Sequence, residues 1–185
     1  MGCMYSGKTT SLLNEKSRYE TITKNVLMVN HKLDTKRHPD ITISPEGYGE
    51  IRTHSNRFVD GVLMVNKLSE ILDLHYSAYI GADVIIIDEA QFFDDLFVFL
   101  KSEMEKMTSA KIFIIGGLSG DFKMQPIGQI LQVIPLADEV IKLNAYCSIC
   151  KDGTKASFTK RLINDREQIL IGKNDIYTPV CRRHF

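Results

Sequence analysis

Residues 2–9 read Gly2-Cys3-Met4-Tyr5-Ser6-Gly7-Lys8-Thr9, a full match to the pattern G-x-x-x-x-G-K-[ST]. A loop of this kind curls its backbone N–H groups around phosphate oxygens and opens into a helix. In that arrangement Lys8 reaches the β- and γ-phosphates, and the Thr9 hydroxyl ligates Mg²⁺. The pattern therefore predicts an α/β fold and nucleoside-triphosphate chemistry. The following helix is expected from about Lys8 to Lys24, with Leu12, Leu13, Tyr19 and Ile22 near one face. A strand normally leads into such a loop. Here only Met1 precedes it, so that first strand is expected to be missing, through truncation upstream or a misassigned start.

Working outward, Val26-Leu27-Met28-Val29 reads as a short buried strand, followed by a polar loop over about residues 30–57 and a weakly helical stretch over about 67–77. Val84-Ile85-Ile86-Ile87 is the clearest strand, four β-branched residues in a row, the signature of a parallel strand buried on both faces. It ends in Asp88-Glu89. An acidic residue at a strand's C-terminal end is the partner that a phosphate loop needs to hold Mg²⁺. One carboxylate of the pair can serve the metal while the other takes a proton. Residues 95–107 form a candidate amphipathic helix with Leu96, Phe99, Leu100 and Met104 as its apolar side. Ile112-Phe113-Ile114-Ile115 and Val140-Ile141-Lys142-Leu143 read as further strands, on either side of a Gly- and Pro-rich loop at 117–135. Alternating helices and strands imply a largely parallel sheet flanked by helices.

The chain changes character near Tyr146, where apolar content becomes too thin for an independent core. Cys147-Ser-Ile-Cys150 and Cys181-Arg-Arg-His184 supply three thiolates and one imidazole, a tetrahedral zinc set. All four positions are protein donors, which leaves none for a catalytic water, so the zinc is read as structural. Of the four cysteines, three fall in this pair of knuckles. Clustered cysteines without a secretion signal favour metal over disulfides and an intracellular location. Lysines plus arginines number 23 and acidic residues 23, so the net charge is zero. That balance gives no general case for nucleic acid or an anionic membrane. No apolar run approaches the length of a transmembrane helix.

Taken together, the motifs resemble the type II thymidine kinases, in the bacterial-type branch with His as the last zinc ligand. The resemblance is carried by the phosphate loop, by Asp88-Glu89-Ala90-Gln91-Phe92-Phe93-Asp94-Asp95, by Leu118-x-Gly120-x-Phe122 with Pro126, by Thr159-Lys160-Arg161-Leu162 between the knuckles, and by the closing Tyr177-x-x-Val180-Cys181-Arg182-x-His184. It runs over nearly the whole chain in order. It implies a P-loop NTPase-like (RecA-like) kinase domain at 1–143, including a lasso loop at 117–135, and a zinc-ribbon-like domain at 144–185. The implied reaction is transfer of a phosphoryl group from ATP with Mg²⁺ to the 5′-hydroxyl of thymidine, a step of nucleoside salvage for DNA synthesis.

By the same resemblance, Glu89 is the base. Gly2 to Thr9 (Gly2, Cys3, Met4, Tyr5, Ser6, Gly7, Lys8, Thr9) and Asp88, Glu89, Ala90 and Gln91 bind ATP, while Thr9, Asp34 and Asp88 serve Mg²⁺. Met4, Phe92, Leu118, Phe122, Thr159, Gln168, Ile169, Leu170, Ile171, Gly172 and Tyr177 contact the nucleoside. Cys147, Cys150, Cys181 and His184 hold structural Zn²⁺. A cytoplasmic homotetramer with feedback binding of dTTP is also implied. The chain departs from the family pattern at Lys36, where arginine is usual, so either Lys36 or Arg37 meets phosphate. It departs again at Ile127, where a second lasso phenylalanine is usual. The alternatives are an inactive truncated kinase fragment or a zinc-ribbon nucleic-acid-binding module, the latter suggested by the basic pairs Lys160-Arg161 and Arg182-Arg183.

Overall fold

The computed structural model describes residues 1–37, 41–52, 58–106, 111–164, 167–170 and 176–185. After the loop, helix α1 (Lys8–Thr21) buries Leu12 and Leu13. Ile22 lies beyond its end and is exposed, and Tyr19 is only half-buried, so the apolar face is narrower than the periodicity predicts. Strand β1 (Val26–His31) follows, then a 3-10 helix at Lys32–Arg37, strands β2 (Tyr48–Arg52) and β3 (Phe58–Val65), helices α2 (Ser69–Leu74) and α3 (Tyr76–Gly81), strand β4 (Val84–Ile87), helix α4 (Leu96–Glu105) and strand β5 (Ile112–Ile115).

The stretch expected to be a polar loop thus contains a 3-10 helix and an edge strand, and β3 follows it. Strands β2 and β3 pair antiparallel. Three of the β2 residues before Ile51 are half-exposed, which hides the strand from a reading based on apolar runs. The sheet order is β2-β3-β1-β4-β5. Strands β3, β1, β4 and β5 are parallel, with Val26 opposite Val84 and Val84 opposite Ile112. This is the mostly parallel α/β sheet that the alternating pattern predicts.

Two cores cover the faces of the sheet, because successive side chains on a strand point to opposite sides. Leu27, Val29, Leu63, Val65, Ile85 and Ile87 face one side and pack with Leu68, just ahead of α2, and with Ile71, Leu96, Phe99 and Leu100 from the helices. Met28, Val62, Met64, Val84 and Ile86 face the other and meet Leu12 and Leu13 of α1. Ile85, Ile86 and Ile87 are fully buried. Each such side chain contributes roughly 1.5–3 kcal/mol by leaving water. Helix α4 buries Glu103, whose carboxylate is bonded by Tyr79 and Lys106, while Met104 turns to solvent.

Beside β5 lie Met1 and Gly2. Gly2 forms isolated parallel bridges with Leu118 and with Leu143, and the Leu143 N–H donates to the Met1 carbonyl at 2.8 Å. Residues 140–143, expected as a strand, form no named strand: Leu143 makes the isolated bridge, the Ile141 carbonyl accepts from the Met1 amino group at 2.8 Å, and Val140 and Ile141 are exposed. Their apolar character has no partner strand to bury it among the described residues.

The C-terminal part contains two small antiparallel ladders. Strand β6 (Ala145–Tyr146) pairs with β7 (Lys155–Ala156), and β8 (Phe158–Arg161) pairs with β9 (Tyr177–Val180). Their shared core consists of Ala145, Cys147, Ala156, Val180 and Cys181 together with Cys3 from the phosphate-loop motif. No helix among the described residues is long and apolar enough to cross a membrane.

Candidate active site and metal centre

The motif at residues 2–9 forms a tight loop ahead of α1. Tyr5 and Gly7 take positive φ of 63° and 82°. A side chain at Gly2 would lie 2.4 Å from the Leu143 carbonyl oxygen and 2.7 Å from Ser6 Oγ, so only glycine fits. The Cys3 carbonyl accepts from Ser6 Oγ at 2.8 Å and from Lys8 Nζ at 2.7 Å, which draws the loop around its own centre. Two further bonds tie the loop to the C-terminal ladders. Cys3 Sγ donates to the Ala156 carbonyl at 3.3 Å, and the Met4 N–H donates to Thr159 Oγ1 at 3.0 Å.

Strand β4 delivers Asp88 and Glu89 to the same end of the sheet. Asp88 is buried and accepts hydrogen bonds from the Thr9 hydroxyl and the Glu89 N–H. Burial pushes its carboxyl up to about 7, the neighbouring Glu89 charge adds to this, and the two hydrogen bonds oppose it. Asp34, on the 3-10 helix, accepts from Asn30 Nδ2 at 2.9 Å and raises Asp88 further by its charge. Three oxygen-bearing side chains of this kind, Thr9, Asp34 and Asp88, suit a hard divalent cation, which favours oxygen donors and repays the repulsion between carboxylates. Lys36 is exposed.

A carboxyl raised in the folded state binds its proton there over a pH range where the unfolded chain has lost it. Stability from Asp88 is therefore present at low pH and falls as pH rises through about 7. Calorimetry of the zinc-loaded, Mg²⁺-free protein is expected to show the wild type losing on the order of 2–4 kcal/mol relative to Asp88→Asn between about pH 4 and about pH 8. Parallel pH profiles for the two proteins would contradict the assignment.

Glu89 is buried and takes φ of 49°, a left-handed conformation that costs a non-glycine residue free energy. Its Oε2 accepts from Gln91 Nε2 at 2.5 Å. Gln91 Oε1 in turn accepts from the Leu118 N–H at 2.9 Å. Gln91 thus links the β4 carboxylate to the loop at 117–135. That loop also presses Gly128, φ 56°, against Gln91, where a Cβ would come within 2.1 Å of the Gln91 carbonyl oxygen. Gly128→Ala is expected to displace Gln91, cost about 1–3 kcal/mol of stability and lower activity with it. Thermal melting at wild-type midpoint would show the contact to be less tight than described.

Next to the phosphate-loop motif is a pocket lined by Met4, Phe92, Leu118, Phe122, Thr159, Gln168, Ile169, Leu170 and Tyr177, together with Gly120, Asp121 and Ile127. Ile171 and Gly172 lie outside the described residues. Sequence reasoning missed Gly120 and Asp121. Asp121 accepts the N–H groups of Lys123 and Gln125, each at 2.8 Å, and Gln168 Nε2 at 2.9 Å, so it both shapes the loop and bonds it to the C-terminal part. Its signal was available as an acidic residue at the start of a loop turn. His31, left without a role by the sequence, is buried beneath this wall. Its Nδ1 accepts the Leu33 N–H at 3.0 Å, and its ring lies 4.9 Å from Phe93 and 5.8 Å from Phe92. Burial lowers its pKa. Arg161, one of the basic pair Lys160-Arg161, is buried.

The four knuckle residues converge. Sγ of Cys147, Cys150 and Cys181 and a ring nitrogen of His184 all lie within 4.8 Å of one another. The three sulfurs are 3.3–3.6 Å from His184 Nδ1, and Cys150 Sγ is 3.8 Å from Cys181 Sγ. Tetrahedral zinc with bonds of about 2.3 Å to sulfur needs ligand separations of about 3.7 Å, so the donor set fits that metal. Ser148 Oγ, bonded to Thr178 Oγ1 at 2.6 Å and to the Pro179 carbonyl at 3.1 Å, fastens the first knuckle to β9.

A sequence profile described as "Thymidine kinase" matches residues 1–185. The chain is 38% identical to "Thymidine kinase" of Oryza sativa subsp. japonica over 191 residues, covering 100% of this chain and 64% of that protein. It is 37% identical to "Thymidine kinase a" of Arabidopsis thaliana, covering 100% of this chain and 72% of the relative. With "Thymidine kinase" of Choristoneura fumiferana entomopoxvirus it shares 34% identity, over 98% of this chain and 91% of the viral protein.

Proposed function

Since the chain belongs to the thymidine kinase family, we propose that it transfers the γ-phosphoryl group of ATP to the 5′-hydroxyl of thymidine. The observation that carries this reading is the placement of Met4. It belongs to the phosphate-loop motif and also lines the pocket, so a phosphate donor and a small apolar-walled acceptor would meet at one residue.

In this reading residues 1–143 are a P-loop NTPase-like, RecA-like kinase domain, with 117–135 as its lasso loop, and residues 144–185 are a zinc-ribbon-like domain. The backbone of residues 2–9 cradles the phosphates, with Ala90 and Gln91 bordering the ATP site. Lys8 bridges to the β- and γ-phosphates. Bound Mg²⁺ supplies neutralisation of the phosphate charge, held by Thr9, Asp34 and Asp88. Thymidine enters between Phe92 and the lasso, with Leu118 and Phe122 toward the base and Thr159, Gln168, Ile169, Leu170 and Tyr177 on the opposite wall; Ile171 and Gly172, outside the described residues, are further proposed nucleoside contacts. Glu89 takes the proton from the 5′-hydroxyl as its oxygen bonds to the γ-phosphorus and the bond to ADP breaks. Gln91 keeps that carboxylate aimed. Zn²⁺ at Cys147, Cys150, Cys181 and His184 supplies no chemistry and stiffens the wall. A role in nucleoside salvage, a cytoplasmic homotetramer and inhibition by dTTP follow from the family alone.

Hydrogen exchange tests the pocket assignment. Thymidine added with Mg²⁺ and a non-hydrolysable ATP analogue is expected to slow exchange at the lasso amides, and adenosine is expected to leave them unchanged. Equal exchange with and without thymidine would count against the pocket.

A further inference from the structure

Strand β8 carries two side chains on one face, because residues two apart on a strand point the same way. Thr159 accepts the Met4 N–H from the phosphate-loop motif. Arg161, two residues on, is buried yet does not line the pocket. Its guanidinium carbon lies 3.6 Å over the centre of the Phe122 ring. Nη1 donates to the Glu167 carbonyl at 2.5 Å, and Nη2 donates to Tyr177 Oη at 2.5 Å and to the Gln168 carbonyl at 3.4 Å. Tyr177 Oη passes the chain on to the Leu170 carbonyl at 2.9 Å. One cation therefore touches both walls of the pocket from behind. It covers one face of the lasso phenylalanine, and it fixes the backbone and the tyrosine that face it.

The geometry points to Arg161 as a positioning residue for the nucleoside acceptor, acting through Phe122, Tyr177 and the backbone at 167–170; the acceptor's identity rests on the thymidine reading above. The role needs a planar cation. A guanidinium stacks flat on an aromatic ring while its N–H groups point outward in a fixed fork to several acceptors. An ammonium cannot do both. The phosphate-loop motif is tied to the ladders by bonds that do not involve Arg161, from Cys3 Sγ and the Met4 N–H, so the effect of Arg161 falls on the acceptor half.

The test uses the full-length, zinc-loaded chain with the variants Arg161→Gln and Arg161→Lys. Both are expected to raise KM for thymidine roughly 10–100-fold, as loss of charge-assisted hydrogen bonds and a desolvated cation–π contact implies. Zinc content, kcat within a few-fold and the affinity for a Mg²⁺–ATP analogue are expected to persist. Phe122→Leu should raise KM too, and Arg161→Gln should add little on top of it, since paired residues are not additive. A second arm needs no nucleoside: amides 118–127 should exchange faster in Arg161→Gln than in the wild type. That arm holds or fails even if the wild type phosphorylates no thymidine, which would overturn the acceptor assignment alone. Arg161→Lys behaving as wild type would overturn the requirement for a planar fork. Parallel loss of zinc or of nucleotide affinity would make Arg161 a general structural residue, and unchanged lasso exchange would remove its positioning role.

Discussion

Glu89→Gln should lower kcat by about 10²–10⁴-fold while nucleotide and thymidine binding survive, the range expected when a positioned general base is lost. The substitution is nearly isosteric, and the new amide oxygen can still accept the hydrogen bond that Gln91 Nε2 gives to Glu89. What disappears is the capacity to take a proton. Phosphoryl transfer otherwise depends on alignment and charge neutralisation, which Lys8, Thr9 and Asp88 are proposed to supply. The kinetic signature is a fall in kcat and kcat/KM together, with little change in KM. A variant with near-normal turnover would remove Glu89 from the base role. Asp88→Asn should differ, losing turnover through weaker Mg²⁺ affinity and recovering part of it at high Mg²⁺.

Removing zinc should have the second large effect. Structural zinc contributes apparent folding free energy of roughly 10–16 kcal/mol at neutral pH, comparable with the whole stability of a domain at about 5–15 kcal/mol. Cys150→Ala, or stripping by a strong chelator, is expected to disorder the β6–β7 and β8–β9 ladders and abolish tight thymidine binding. The damage should reach the donor site as well. Cys3 shares the small core with Cys147 and Cys181, and Met4 leans on Thr159. Affinity for ATP analogues should therefore fall in step with zinc content. Full zinc stoichiometry and normal thymidine affinity in Cys150→Ala would contradict this.

The parts of the molecule that could be read from sequence are those whose pattern follows from one local requirement. Strands β4 and β5 are continuous apolar runs because both faces of a parallel sheet are covered. The knuckle cysteines and His184 stand out because their spacing is the one that a tetrahedral metal set requires. Strands β2 and β3 did not show. In β3 only Val62 to Val65 are buried, and Asp60-Gly61 interrupts the run before them. Val140 to Leu143 failed in the opposite sense, with strand-forming residues that, among the described residues, pair only with Met1 and Gly2, since propensity needs a full partner strand. Arg161 was hidden for a third reason. Beside Lys160 it looks like a surface charge, and only the fold places Phe122 over it. That burial also removes one of the basic residues that would favour a nucleic-acid surface. The family resemblance puts Gln91 at the ATP site, but its bridge between Glu89 and Leu118 is a tertiary contact that no spacing reveals.

The most direct test of the account is transfer of label from γ-labelled ATP to each of the four deoxynucleosides, using folded, zinc-loaded protein with Mg²⁺. The account predicts labelled 5′-monophosphate from thymidine, abolished in Glu89→Gln, and little or none from deoxyadenosine, deoxyguanosine or deoxycytidine. No transfer to thymidine by protein that holds zinc and binds ATP would contradict it.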